Sequence, residues 1–271
     1  MKIRILLLFI FIFLNFKSQI ISGKIMSEET KLPIPYARIG IENSELGTTS
    51  DENGVFSIDL SKSNKGQNIK IEVGGFKPYL NSVESFLLEN NKTFYLADRI
   101  FNIEQVVLIP KKLVSKNWGI TSKTKKIQFI YNPQKNLQDI SKELALPFAT
   151  EKRTKIEKIN INFAHLESDR PIFIRYNVYD ENWNSVLSED ISTVMTTEQI
   201  KDGEFSYDIS SKNLWVENIF YVSFQILNSF KGSIAVSGTV FKPAFYRKNF
   251  GEWERTPTVS PALNIDVKVI K

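Results

Sequence analysis

No cysteine occurs among the 271 residues, and histidine occurs once. Without cysteine there is no disulfide framework, no lipid-bearing N-terminal cysteine and no thiol nucleophile. One histidine, His165, cannot furnish the two imidazoles of a His-His-Glu zinc site. A Ser-His-Asp triad would also depend on it, yet no G-x-S-x-G elbow is present. Glycines adjoin only at Gly74-Gly75, which lacks the Lys-Ser/Thr that follows in a phosphate-cradling loop. Charge of one sign is in small excess: 35 basic against 30 acidic residues give a net +5. That balance implies no nucleic-acid partner. No cofactor or metal site is read from the residues.

What is present is apolar and aromatic. Hydrophobic residues make up 42% of the chain, with 20 Phe and 9 Tyr, a composition suited to sheets. The length leaves room for two domains. At the N-terminus Lys2 and Arg4 precede the apolar run Ile5–Leu14, and Lys17-Ser18-Gln19 forms a polar exit. This pattern predicts a signal peptide over residues 1–18, cut near Ser18/Gln19. The run is too short for a helix that crosses a bilayer, which takes about 20 residues. No integral span is therefore expected in the mature chain. The expected location is exported: periplasmic, outer-membrane-associated or secreted.

Period-two alternation begins at once. The runs I-I-S-G-K-I, P-I-P-Y-A-R-I-G-I and G-V-F-S-I-D-L lie between Ile20 and Leu60. Ser50-Asp51-Glu52-Asn53-Gly54 feeds into Val55–Leu60 and predicts a hairpin turn. Further strands are expected at Asn68–Val73, broken by Gly74-Gly75, at Thr93–Leu96, and at Glu104–Pro110 (E-Q-V-V-L-I-P). In this order, with Gly75-Phe76 as a G-Y/F pair, the motifs resemble the carboxypeptidase regulatory-like domain. Gly74 departs from the larger residue usual there. The resemblance implies a transthyretin-like antiparallel sandwich over residues 19–110, in an envelope protein.

Residues 111–126 hold six lysines and predict a solvated linker. Between Asn136 and Phe148 a short helix stopped by Pro147 competes with a strand, and the residues do not choose. Alternation returns from Lys155: Ile159, Ile161 and Phe163, then Ile172–Val178, Phe205–Ile209, Phe220–Ile226, Ile234–Val240 and Leu263–Val269. The spacing predicts a larger antiparallel β-sandwich or jelly roll over residues 127–271, with Phe220–Ile226 central. This half, through K-I-E-K-I-N-I-N-F, F-Y-V-S-F and F-Y-R-K-N-F-G-E-W, is similar to sandwiches that follow the same module in secreted bacterial proteins. The fold class is all-β.

Candidate sites are few. Glu252 and Glu254, or Glu189-Asp190, would be the carboxylate pair of a glycoside hydrolase; their other reading is a solvated strand face. Asp51-x-Asn53-Gly54 has the start of a calcium loop but runs straight into a strand, so it reads as a turn. His165 reads as an exposed structural residue. Tyr246, Phe250 and Trp253 mix aromatic rings with charge around Gly251, a mixture suited to stacking sugars. The competing reading places Tyr246 and Trp253 in the core of strands joined by Asn249–Gly251. Trp183, in a turn, is a second aromatic expected at the surface. The function expected is a non-catalytic binding or scaffolding protein, its partner a polysaccharide or an envelope protein. A hydrolase or a structural assembly component is the alternative.

Overall fold

The computed structural model describes residues 19–99, 112–136, 141–256 and 258–271. The expected signal peptide and the strand expected at Glu104–Pro110 lie outside these. Alternating Ile and Phe side chains build the first unit as two packed sheets. One holds β1 (Ile20–Ser27), β4 (Val55–Asp59) and β7 (Thr93–Leu96) in the order β4-β1-β7, with β1 parallel to β7. The other holds β2 (Arg38–Ile41), β3 (Gly47–Thr49), β5 (Asn68–Glu72) and β6 (Tyr79–Ser82) in the order β3-β2-β5-β6. Ile25, Ile39, Phe56, Ile58, Ile69 and Ile71 fill the space between them. A helical turn unforeseen in the sequence, α1 (Val83–Leu88), is capped by Ser82 and buries Phe86 against Phe94 at 4.8 Å.

The turn before Val55 forms as expected, but not as a hairpin within one sheet. Asp51 Oδ1 accepts the N–H groups of Asn53 and Val55 at 2.9 and 2.8 Å. Gly54 adopts φ +72°, the left-handed region open to glycine. Ser50 N–H then bonds Ala37 O, while Gly54 O accepts from Ile25 N–H. The strands on either side are thus claimed by different sheets, and the turn is a corner between layers.

Among the described residues the second unit is a curled sheet of twelve strands. Its spine is β10 (Lys142–Ser168), 27 residues long. At about 3.3 Å per residue a straight strand of that length would reach roughly 90 Å. Instead the register shifts at Thr150/Thr154, Ile156/Lys158 and Phe163/His165, and such irregularities bend and twist a strand. Its first stretch lies between β14 (Trp215–Ile226) and β16 (Ala244–Lys248). Its middle lies between β13 (Glu204–Asp208) and β19 (Leu263–Ile270), and its end pairs with β15 (Gly232–Val240). On the other flank β11 (Ile172–Tyr179) joins β14 and carries the edge strand β12 (Ile191–Met195). The strand reading holds across Glu143–Phe148, and β14 is central as expected.

Two departures concern polar stretches. Residues 111–126 are not an open linker throughout: β8 (Leu113–Gly119) pairs with β19 from Leu113↔Ile270 to Asn264↔Gly119. Most of its side chains are exposed, so no apolar alternation betrayed it; besides the main-chain ladder, Trp118 packs on the core and Asn117 donates to Asn264 and Asp266. Asn160 and Asn162, which alternate with Ile159, Ile161 and Phe163, are buried as well; Asn160 donates to Asn264 and accepts from Ser206.

The two units meet closely. Tyr36 packs on Phe173 with centroids 4.7 Å apart, and Lys248 pairs with Glu45 at 2.9 Å. At Gly74 a side-chain carbon would come within 2.6 Å of the Asp190 main chain. A larger residue, as the resembled family usually carries there, would push the units apart.

Candidate functional site

Glu143 lies in the apolar run of β10 and is fully buried. A buried carboxylate is tolerated only when paired and hydrogen-bonded. Here Oε2 accepts from Arg38 Nη2 and Arg247 Nε, each at 2.9 Å. Oε1 accepts from Tyr179 Oη and Ser223 Oγ at 2.6 Å and from Asn177 Nδ2 at 2.9 Å. Arg38 belongs to β2 of the first unit and also donates to Gln225 at 2.9 Å. Burial by itself would raise the Glu143 carboxyl, but Arg247, Arg38 and the hydroxyl donors outweigh it and hold it far below the carboxylate range. Arg247 is correspondingly pushed up by Glu143 against the effect of its own burial. With both oxygens engaged by five donors, Glu143 clamps the units together and is poorly placed to exchange protons.

Beside this clamp a cavity of about 300 Å³ opens between the units. Arg38, Lys70, Glu72, Gly74, Gly75, Phe76 and Arg99 line it from the first unit, and Arg175, Asn177, Trp183, Asn184, Ser185 and Arg247 from the second. Arg175 Nε donates to Asp190 Oδ1 at 2.6 Å. Glu72 pairs with Lys70 at 2.9 Å. Burial would raise the Glu72 carboxyl, yet Lys70, Arg38 and Arg247 keep it below its ordinary value.

The aromatic residues expected at the surface form the packing behind this cavity. Trp183, held at φ +63°, stacks on Tyr221 at 3.7 Å and on Trp253 at 4.3 Å. Trp253 carries the Arg247 guanidinium 4.5 Å from its ring centre and meets Tyr179 edge-on. Phe250 is buried in the contact between units, with Arg38 and Lys70 at 5.5 and 5.3 Å from its ring. Tyr246 points to the opposite face of β16 from Arg247, as period two requires, and donates its hydroxyl to Glu254. Tyr246, Phe250 and Trp253 therefore share no open face: Phe250 and Trp253 support cations, and Tyr246 stands apart.

The other sequence candidates are accounted for individually. Glu189 pairs with Lys212 and Asp190 with Arg175, so the two acids diverge. Glu254 is taken by Tyr246, and Glu252 is exposed outside the strand. Asp51 spends its carboxylate on its own turn. His165 is exposed, 3.8 Å from Glu167. The clamp residues Arg38 and Glu143, and Arg175 beside the cavity, were missed. Their signal was a charge set in an apolar strand run (A-R-I-G-I, E-L-A-L, I-F-I-R-Y), which a solvated strand face would not require.

With this geometry in place, comparisons identify the first unit: residues 21–108 match the family model of the CarboxypepD_reg-like domain. No curated protein matches the chain significantly. Among solved structures, infectious bursal disease virus Gx strain is 10% identical, with 93% of this chain and 55% of that one covered and a TM-score of 0.27. The chain thus spans about half the length of that relative. A structure described as showing the promiscuous specificity of carbohydrate-binding modules of the β-sandwich superfamily is 12% identical. It covers 88% of this chain and 97% of that one at a TM-score of 0.19. Scores this low carry no inference about the second unit.

Proposed function

We propose that the protein is an exported, non-catalytic binding protein of the bacterial envelope, whose ligand, a polysaccharide or a protein segment, seats in the cavity between the two β units. The observation that carries this reading is that both units contribute walls to one cavity of about 300 Å³, the lower end of the range of ligand pockets. A clamp with its carboxylate saturated backs the cavity, so the walls are held in place before a ligand arrives. The non-catalytic part rests on the same saturation, because Glu143 offers neither a proton nor a free lone pair. Export rests on the basic and apolar N-terminal segment.

Trp183 lies in the cavity wall, so tryptophan fluorescence should respond when envelope polysaccharide fractions or crosslinked protein partners occupy it. Reducing ends assayed in the same mixtures should not rise. A steady release of reducing ends would overturn the binding reading in favour of a glycosidase. Full-length protein retained in the cytosol on fractionation would remove the envelope assignment.

A further inference from the structure

The cavity lining is rich in cations. Among the described residues Arg38, Lys70, Arg99, Arg175 and Arg247 face Glu72 as the one lining carboxylate, with Glu143 and Asp190 behind the wall. Two of these guanidinium groups are incompletely satisfied. Arg175 Nη2 and Arg38 Nε are shielded from water without a hydrogen-bond partner among the described residues, on side chains only 5% and 6% exposed. Buried donors in native structures normally find acceptors. Arg175 lines the cavity with its Nε held by Asp190, and a planar carboxylate seated there meets the rest of its guanidinium, whose fork matches carboxylate geometry.

Resting on the binding reading above, we infer that the cavity seats a uronic-acid residue of an acidic polysaccharide, its carboxylate against Arg175 and its hydroxyls among Glu72, Asn184 and Ser185. Glu72, paired with Lys70 at 2.9 Å, offers acceptor oxygens to the cavity that the hydroxyls of a sugar fill and that sulfate, which has no donor, does not. The neutral amide and hydroxyl groups of Asn184 and Ser185 lie in the same lining and suit the alternating donors and acceptors of a sugar ring. Val73, Pro78 and Leu187 add apolar surface to the lining, against which the carbon face of a sugar ring packs.

The test titrates the full chain by calorimetry with short oligomers of galacturonate, glucuronate, mannuronate and guluronate. Parallel arms use their methyl esters, tetraglutamate and inorganic sulfate. At least one uronate oligomer should bind, and its methyl ester about tenfold or more weakly, the loss expected for a charged hydrogen-bonding partner. Arg175→Met should reproduce that loss. Because this variant also strands Asp190, Arg175→Lys is measured beside it, with melting temperature as the check on folding. Partial recovery in Arg175→Lys supports the assignment, whereas unchanged affinity in a folded Arg175→Met overturns it. Equal binding of ester and acid would sink the uronate inference and leave the binding reading standing. Tighter binding of tetraglutamate or sulfate would replace the sugar with a peptide or a bare anion. Silence towards every oligomer would also overturn the inference, while the fluorescence titration of whole fractions judges the binding reading separately.

Discussion

At the scale of single residues, Glu143 shows how a charge can be fully buried within a sheet. Its desolvation is offset only because five donors converge on it, so removing the charge strands two buried guanidinium groups. Glu143→Gln should cost about 3–5 kcal/mol, as for a buried pair that loses one partner, read as a shift in the urea midpoint. The pH dependence follows from the same contacts. The native carboxyl is held below its ordinary value of 4.5, so the stability it contributes is fully present above that value. It shrinks as pH falls further, because the unfolded chain takes up the proton first. Denaturation curves for the wild type should therefore weaken from about pH 4.5 downward, and Glu143→Gln should flatten part of that slope. An unchanged slope would show that other acids dominate.

At the scale of elements, turns and stacks do what the strands cannot. Gly54 closes the corner between two sheets at φ +72°, and a side-chain carbon there would lie 2.5 Å from Ile25 O. Gly54→Val combines left-handed strain with that clash and should cost about 2 kcal/mol or more. A melting temperature equal to wild type would mean that the corner relaxes freely. The stack Tyr221–Trp183–Trp253 joins β14, the turn after β11 and the segment that follows β16. Trp253→Ala should remove about 3 kcal/mol of stability and lower the melting temperature by roughly 6–10 °C. A small thermal change coupled to a large loss of ligand binding would restore Trp253 to a surface role.

At the scale of the whole molecule, the polar clamp makes two β units behave as one. Interfaces between domains in one chain commonly permit relative motion unless they are extensive and apolar. Here Arg38 reaches Glu143 and Gln225 across the boundary, and Lys248 and Asn249 reach back to Glu45. Scanning calorimetry near neutral pH should give one transition for the intact chain. Arg38→Met, which removes the reach from the first unit, should split it into two. A split already present in the wild type would show that the clamp does not couple the units.

The residues alone determined the all-β class, most strand positions and the Asp51–Gly54 turn, because alternation and turn chemistry are local and each strand shows its own buried face. The module at residues 21–108 was legible for the same reason: its punctuation lies in order along the chain. Only the tertiary structure decided which sheet receives each strand, since pairing partners depend on contacts distant in sequence. It made β8 a strand through main-chain bonds that side-chain patterning does not record. It also took Phe250 and Trp253 from a supposed open surface to supports beneath cations and set Tyr246 apart on Glu254. The cavity depends on Arg38, Glu143 and Arg175, which stand 105 and 32 residues apart in turn. A charge in an apolar run reveals its purpose only when folding brings its partner opposite, because the energy of a buried ion pair resides in the pair.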